Sequence, residues 1–316
     1  MLSIEELREL SLPSSSKTLR AIVLDWFFIA LLFGLAVRFP HPVTYVFCFI
    51  LMARQQLALA ILMHDGAHGR LFFSPFWNNY VGQYLTASPL VISMRTYRNL
   101  HLKHHQNPLA PDDPDINLIG GYPINPQSLK RKLLRDLFGM TYFKFLAYFL
   151  MMSRTNKESR EKTLKKMEVP EAVRGPKIST FHFIFSVIFV QTLLFSVLFF
   201  FQAPWLYFFL WALPMMTLLQ LLLRIRGITE HAGYTPNRDQ RYNTRTLINP
   251  FQTFFFAPHS VNYHIEHHLY PSVPYANLHK VHALLKERGS LPEANIFYSY
   301  RDVLDQLVVS PCDKVT

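Results

Sequence analysis

An apolar segment that ends in two histidines gives the first indication of the fold. Residues 43–68 read VTYVFCFILMARQQLALAILMHDGAH. The part from Val43 to Met63 has the roughly 20 mostly apolar residues that a helix needs to cross a bilayer. His64 and His68 follow directly, and because they are four residues apart they share one face of a helix. The segment therefore predicts a membrane span with a pair of imidazoles at its end.

Three further segments are long and apolar enough to span a membrane, namely Ala21–Val37, Ile178–Phe201 and Trp205–Leu223. Only a few residues with prolines separate the first span from the second and the third from the fourth, so the four spans are predicted to form two helical hairpins. Two weaker apolar segments, Tyr80–Met94 and Leu137–Met152, are predicted to be interfacial or partly embedded helices.

Composition agrees with a membrane protein that has a large polar portion. Hydrophobic residues make up 50% of the chain and charged residues 17%, below the usual share of about 25% in soluble domains. The net charge of +11 is compatible with nucleic acid or with an anionic membrane surface. Of the 32 Lys and Arg residues, all except Arg38 and Arg54 lie on one predicted side of the membrane, which favours the membrane over nucleic acid. The positive-inside rule places that side, with both termini, in the cytosol.

These features predict an all-α integral membrane protein of one domain, 1–316, in which a cytosolic helical cap carries the histidines. The predicted parts are a cytosolic N-terminal segment (1–20), a first hairpin (21–63), a cytosolic or interfacial segment (64–177), a second hairpin (178–223) and a cytosolic segment (224–316). Cys48 and Cys312 are too few for a disulfide framework.

Two more histidine clusters follow the first pair. Residues 101–105 read HLKHH and residues 264–268 read HIEHH, and in each the spacing places the imidazoles on one face of a helix. The hairpin topology brings all three clusters to the cytosolic face. His231, in RGITEHAG just after the predicted fourth span, is a further candidate ligand. Each remaining lone histidine, such as His282, is expected to be an ordinary hydrogen-bonded residue.

The number and type of these side chains indicate a metal centre. Eight clustered imidazoles exceed the three or four ligands of one zinc ion and suffice for two metals with open positions. A histidine-rich site without thiolates favours iron and oxygen chemistry, while a dinuclear zinc site for hydrolysis is an alternative. The predicted ligands are His64, His68, His101, His104, His105, His231, His264, His267 and His268, with no catalytic residue apart from them.

The three clusters, with YRNLHLKHH and NYHIEHHLYPSVPYANL around two of them, resemble the membrane fatty acid desaturase and hydroxylase superfamily in its bacterial form. The resemblance covers about His64 to His282. It implies two non-haem iron ions, O2 as co-substrate and the nine histidines as ligands. Some members carry an asparagine four residues before the extra histidine as a water-mediated ligand, and here that position is Gly227.

Several residues near the histidines have two open interpretations. Asp112, Asp113 and Asp115 would either hydrogen-bond ligand imidazoles or cap a turn. Asn262 would either support a ligand or cap a turn. Arg54, in the middle of a span, would either orient a polar substrate group or be buried between helices and paired with a carboxylate or backbone carbonyls. Arg95 and Arg98 would either meet an acidic head group or face solvent and lipid.

The leading prediction is O2-dependent desaturation of a fatty acyl chain. A hydroxylase, a carotenoid ketolase or an oxidative fatty acid decarboxylase on the same scaffold is the alternative, and a zinc-dependent membrane hydrolase or a metal transport protein is a weaker one. The expected partners are a lipid or acyl-thioester substrate and an external electron donor of the ferredoxin or cytochrome b5 type. The predicted location is a bacterial inner membrane.

Overall fold

The computed structural model describes residues 1–154 and 179–309, and the predicted connector 155–177 lies outside the described residues. The helices are α1 (Ile4–Leu10), α2 (Ser15–Arg38), α3 (Pro42–Ala67), α4 (Pro75–Val81), α5 (Met94–Gln106), α6 (Ile116–Ile119), α7 (Pro126–Leu137), α8 (Met140–Arg154), α9 (Thr180–Phe200), α10 (Tyr207–His231), α11 (Pro250–Phe256), α12 (His264–Leu269), α13 (Leu278–Glu287) and α14 (Tyr300–Leu307). Strands β1 (Thr246–Leu247) and β2 (Ile296–Phe297) form one short parallel pair. The described residues are thus mostly helical, with almost no strand.

Four of these helices, α2, α3, α9 and α10, are long and apolar enough to cross a membrane, among the residues that the structure describes. This confirms the prediction of an all-α membrane protein. Helices α2 and α3 extend beyond the predicted spans at both ends, α9 falls just inside its predicted span, and α10 begins later and ends later than predicted. In particular, α10 continues to His231, so His231 lies in the last turn of the helix and not after it. Gly227 lies inside this helix and does not end it, and Gly233, whose φ is +83°, follows its last residue closely.

The fourth helix is irregular near its start. Residues Tyr207–Ala212 form a π-helical turn, and Thr217 departs from helical geometry with φ of −119° and ψ of −84°. Pro214 lies between these two points and has no backbone N–H to donate, so the regular pattern of hydrogen bonds cannot pass through it.

The two weaker apolar segments differ from prediction in their continuity. Tyr80–Met94 is not one helix, because α4 passes into a π-turn (Gly82–Ala87) and a 3₁₀ turn (Ser88–Leu90) before Val91 adopts a φ of +60°. Pro89 has no N–H to continue the helical pattern. The segment Leu137–Met152 is helical from Met140 onward, and Gly139, with φ of +73°, separates α7 from α8.

The chain divides into two compact units. The histidine unit comprises 1–13, 100–135 and the described residues from 222 onward. The span unit comprises 14–99 and the described residues of 136–221. The single-domain organisation stays a prediction.

In the span unit, α3 is the central helix. It packs against α2 and against the first half of α10, where Tyr45 contacts the rings of Trp205 and Phe209. Its second half, from Met52 to Ala67, is almost wholly buried. Gln56, a buried polar side chain of this half, donates to the Trp211 carbonyl on α10 at 2.7 Å. Packing thus fixes the helix end that carries the first histidine pair.

In the histidine unit, α1 packs onto the segment around α12 and α13. Leu10 is buried with Ile265, Val281 and Leu285 in one apolar cluster. Ser3 and Glu6 form the capping box that the sequence indicates at the start of α1. The short parallel pair of β1 and β2 adjoins a second cluster, in which Leu247 packs with Ile228 and Val303. These two clusters hold α10, α12 and β1 in fixed positions.

Candidate metal centre

The second histidine cluster lies on α5. His101, His104 and His105 occupy positions i, i+3 and i+4 of this helix, so their rings project from the same side. His101 and His104 are buried and His105 is half-buried. The Nε2 atoms of His101 and His105 are 3.0 Å apart. The sequence spacing therefore produces the local convergence that it predicts.

The third cluster lies on α12, and two contacts fix this short helix. The backbone N–H of Ile265 donates to the Thr246 hydroxyl on β1 at 3.3 Å. The side-chain amide of Asn262 donates to the backbone carbonyl of Leu247 at 3.0 Å, and the backbone N–H of Leu247 donates to the backbone carbonyl of Asn262 at 3.2 Å. These contacts of Asn262 join the chain just before α12 to β1, a role that differs from both roles expected of it.

Within the histidine unit, the imidazoles form two adjoining groups. In the first, Nε2 of His105 lies 3.0 Å from Nε2 of both His101 and His267. In the second, the ligand nitrogens of His104, His231 and His268 lie within 4.8 Å of one another. His264 joins the second group through its Nε2, which is 2.8 Å from Nε2 of His231.

A stacked pair of rings connects the two groups. The rings of His105 and His268 are nearly parallel, with centroids 4.1 Å apart. Within the histidine unit, the structure therefore brings its seven predicted ligands together. His64 and His68 belong to the span unit.

Hydrogen bonds assign the tautomers of two imidazoles. Nδ1 of His104 lies 3.0 Å from both carboxylate oxygens of Asp113, and Nδ1 of His231 lies 3.1 Å from the carbonyl of Asn243. Both partners accept hydrogen bonds, so each Nδ1 carries a hydrogen and each Nε2 presents a lone pair. These two Nε2 atoms are 3.3 Å apart. Two facing lone pairs at this distance require a cation between them, either a proton on one ring or a metal ion.

His268 indicates that the donor set fits a metal ion. Neither of its ring nitrogens has a hydrogen-bond partner among the described residues, although the residue is buried. A buried polar atom without a partner costs about 1–3 kcal/mol, which coordination of a metal would offset. Burial and the neighbouring histidines hold the pKa of His268 well below its usual range, so the ring is neutral at pH 7. Neutral imidazole is the form that binds a metal.

His104 differs from His268 in its surroundings. Burial lowers its pKa, but the hydrogen bond to Asp113 and the charge of Asp115 outweigh burial, so the pKa of His104 lies above its usual value. The same carboxylate would raise the basicity of the ring toward a bound metal.

The first histidine pair occupies the end of α3 in the span unit. The rings of His64 and His68 are 5.1 Å apart and both are buried. Burial and the charges of Arg70 and Arg98 lower the pKa of His68 to about 3, so this ring is also neutral at pH 7.

Arg98 holds the end of α3. It donates to the carbonyls of Ala67 at 2.7 Å and Gly66 at 2.9 Å, and to the side-chain oxygen of Asn79 at 2.7 Å. With 5% of its surface exposed, Arg98 does not face solvent and lipid, so that suggested role was wrong. A guanidinium satisfies helix-terminal carbonyls that lack partners within the helix.

The three aspartates after the second cluster have different roles. Asp113 is buried against His104, whereas Asp112 forms an exposed ion pair with Lys103 at 3.1 Å. Asp115 lies 3.7 Å from Nδ1 of His104. At Gly227, a Cβ would come within 2.8 Å of the Leu118 side chain, so a larger residue at that position would require Leu118 to move. In the span unit, Arg54 is half-buried and donates to the amide oxygen of Gln55 on the same helix, and Gln55 in turn donates to the Asp25 carboxylate on α2.

One residue near the third cluster was not recognised from the sequence. Nδ1 of His282 on α13 lies 2.6 Å from the Glu266 carboxylate, whose other oxygen accepts from the Thr246 hydroxyl at 2.6 Å. Glu266 is completely buried and stands between two predicted ligands in the chain. His282 is therefore hydrogen-bonded as expected of a lone histidine, but its partner belongs to the histidine cluster. The sequence offers no spacing signal for this pair, because 16 residues separate the two.

Fold and site together define a helical membrane protein with buried, adjoining histidine clusters. Residues 40–302 match the family described as fatty acid desaturase. This match covers most of the chain, and the chain belongs to the fatty acid desaturase family.

Three relatives show the breadth of the similarity. The chain is 25% identical over 263 residues to a putative fatty acid desaturase 2-like protein of Homo sapiens, a match that covers 78% of this chain and 52% of that protein. It is 25% identical over 250 residues to a dihydrorhizobitoxine desaturase of Bradyrhizobium elkanii (75% and 66%). It is 23% identical over 279 residues to an endoplasmic reticulum omega-3 fatty acid desaturase of Nicotiana tabacum (83% and 70%). The match spans about half the length of the first of these relatives.

Proposed function

We propose that this protein is an O2-dependent, non-haem diiron enzyme that introduces a double bond into a fatty acyl chain. The observation that carries the proposal is the pair of adjoining imidazole groups in the histidine unit, joined by the stacked rings of His105 and His268. Two groups of neutral nitrogen donors, without thiolates, suit two iron ions with open coordination positions. The family match and the names of the relatives support a desaturase.

The proposed metal ligands comprise all nine predicted histidines. His101, His105 and His267 would belong to one metal, and His104, His231, His264 and His268 to the other, as their grouping suggests. The inclusion of His64 and His68 rests on the three-box pattern of the family. When bound, two iron ions would activate O2 so that hydrogens can be removed from an unactivated methylene pair.

The protein's own groups would prepare this chemistry. The Asp113 carboxylate keeps the hydrogen of His104 on Nδ1, and the Asn243 carbonyl does the same for His231. Both rings thereby direct Nε2 toward the metal position. Burial of these side chains excludes water from that position, which protects a strong oxidant from side reactions.

The substrate class and the surroundings follow from the same proposal. An acyl lipid or acyl thioester would place its chain among the spans, whose outer faces carry large exposed apolar residues such as Phe28, Phe47 and Ile188. Electrons would come from a ferredoxin-like or cytochrome b5-type donor. We place the protein in a bacterial inner membrane as a multi-pass protein with the histidine clusters and both termini in the cytosol.

Mass spectrometry of total lipids from cells that express the chain tests the proposed activity. The comparison is with His267→Ala, which removes a proposed ligand. The matched control is His279→Ala, an exposed histidine on α13. Acyl lipids that lack two hydrogens, present with the wild type and the control but absent with His267→Ala, would support desaturation. Gain of an oxygen atom or a shortened hydrocarbon would instead identify a hydroxylase or a decarboxylase. Purified active protein that contains zinc and no iron would contradict the diiron centre.

A further inference from the structure

A buried carboxylate lies beside the second imidazole group. Glu230 precedes His231 at the end of α10 and is 3% exposed. Its Oε1 accepts from Nε of Arg226 at 2.8 Å, and its Oε2 lies 3.5 Å from Nε2 of His264. Oxygen and nitrogen ligand atoms of Glu230, His231 and His264 all lie within 4.8 Å of one another.

We propose that Glu230 is a direct carboxylate ligand of the metal that His231 and His264 would hold. The inference rests on the proposed metal centre and adds an oxygen donor to a set otherwise made of imidazoles. Arg226 would hold one carboxylate oxygen, and the metal would bind the other.

The separations of the donor atoms agree with a shared ion. Metal–nitrogen and metal–oxygen bonds are about 2.0–2.2 Å long, so two ligands at a right angle lie about 3.0 Å apart and two at a tetrahedral angle about 3.4 Å apart. The observed distances are 2.8 Å between Nε2 of His231 and Nε2 of His264, and 3.5 Å between the latter and Oε2 of Glu230. The second distance is too long for a good hydrogen bond.

Charge provides a second argument. Imidazole ligands are neutral, so a divalent ion held by them alone would keep its full charge in a buried site, which is costly. Glu230 would supply a negative charge at bonding distance. Asp113 acts on the other side of the group, but only through Nδ1 of His104. A carboxylate among the ligands also suits iron better than copper(I), which prefers soft donors.

Glu266 is a second buried carboxylate in the same unit, and its contacts differ from those of Glu230. Its two oxygens are engaged by the Thr246 hydroxyl and by His282, each at 2.6 Å. It is also next to a predicted ligand in the chain, yet it belongs to none of the candidate metal groups in the described residues. Sequence proximity to a ligand therefore does not explain the position of Glu230.

Cobalt binding to the full-length, metal-free protein in detergent tests this inference without reference to activity. The variants are Glu230→Gln, which keeps the shape and an oxygen for Arg226, and Glu287→Gln, which neutralises an exposed carboxylate on α13, as the control. We expect the wild type and the control to bind two Co²⁺ ions with the same visible absorption. Glu230→Gln should bind one of the two ions at least about 100-fold more weakly, the upper end of the effect of removing a supporting group, with altered absorption bands for that ion.

The alternative outcomes separate the two proposals. Two ions bound by Glu230→Gln with wild-type affinity and absorption would overturn the role of Glu230 and leave the metal centre intact. A wild type that binds neither Co²⁺ nor Fe²⁺ would overturn both. Circular dichroism of the metal-free proteins checks folding. If Glu230→Gln fails to fold, Glu230→Asp is measured instead, because it keeps the negative charge but shortens the side chain by one methylene. Altered Co²⁺ absorption bands in Glu230→Asp would support the inference, and unchanged bands would overturn it.

Discussion

Carboxylates near the histidine clusters act on individual ring nitrogens. Both oxygens of Asp113 lie 3.0 Å from Nδ1 of His104, and they also accept the backbone N–H groups of Leu109 at 2.8 Å and Asp115 at 2.9 Å. All these contacts require acceptors. The carboxylate is thus held in place by the loop after α5, and it in turn determines which nitrogen of His104 faces the proposed metal.

Replacing this carboxylate with an amide should weaken metal binding. In Asp113→Asn, the NH2 group would face donors, so His104 would lose its fixed tautomer and Nε2 would no longer be a constant lone pair. We expect the affinity for the metal near His104 to fall about 10- to 100-fold. The measurement is the iron that the purified protein retains against a graded series of chelator concentrations. Asp112→Asn is the control, because Asp112 is exposed and pairs with Lys103. Equal iron retention in Asp113→Asn and the control would contradict this role.

At the scale of elements, α1 shows how a peripheral helix supports the third histidine cluster. Its apolar face, with Leu7 and Leu10, packs against the cluster of buried residues that includes Ile265 of α12. Asn277 donates to the carbonyl of Leu10 at 2.9 Å, which satisfies the C-terminal end of the helix. The position of α12 therefore depends partly on α1.

An ion pair across this contact should make its stability pH-dependent. Both carboxylate oxygens of Glu6 accept from the Arg288 guanidinium, at 2.5 and 2.9 Å, and the backbone N–H of Ser3 donates to one of them. These hydrogen bonds, with that from Arg288 the largest cause, lower the pKa of Glu6 from 4.5 to about 2. Because the folded-state pKa is the lower one, the stabilisation is complete above about pH 4.5 and is lost as the pH falls toward 2.

Thermal unfolding of the detergent-solubilised protein across pH 2–7 measures this effect. Glu6→Gln should lower the Tm near pH 7, and the difference from the wild type should shrink as the pH falls below about 4.5. The control is Glu5→Gln, which removes an exposed charge from the same turn without touching the capping box. A Tm difference that stays constant down to pH 2 would show that the Glu6 charge is not responsible.

Across the whole molecule, features that depend on one segment of the chain could be predicted from the sequence. Membrane spans could be predicted from segments such as Val43–Met63, because a helix of about twenty mostly apolar residues matches the thickness of the hydrocarbon core of a bilayer. The histidine faces on α5 and α12 could be predicted because i, i+3 and i+4 spacing is a property of one helix. Contacts between distant segments have no such local signal. Three such contacts depend on tertiary packing and were visible only in the structure. They are the pairing of His282 with Glu266, the burial of Arg98 of α5 against the end of α3, and the approach of Glu230 to His264.

Helix ends were also harder to predict than helices. Hydropathy falls at Leu223, but α10 continues to His231 because Ile228 and Ala232 pack in an apolar cluster of the histidine unit. The chain around Pro89 was predicted as one helix, because its apolar composition outweighed the effect of a single proline on the hydrogen-bond pattern. Composition averages over a window, whereas a helix ends at one residue.

The distribution of charge across the whole chain predicts the orientation of the protein in the membrane. Arg38, the last residue of α2, is the one basic residue near the turn to α3, whereas Arg8, Lys17 and Arg20 lie near the start of α2 and the segment after α10 is rich in Lys and Arg, so the turn should face outward. Single-cysteine variants can test this after Cys48 and Cys312 are changed to Ser. His41→Cys lies in the exposed turn, and Arg238→Cys lies in an exposed segment after α10. A membrane-impermeant maleimide should label His41→Cys in intact spheroplasts, and Arg238→Cys only after lysis. Labelling of Arg238→Cys in intact spheroplasts would reverse the orientation, because impermeant reagent reaches only the outer face.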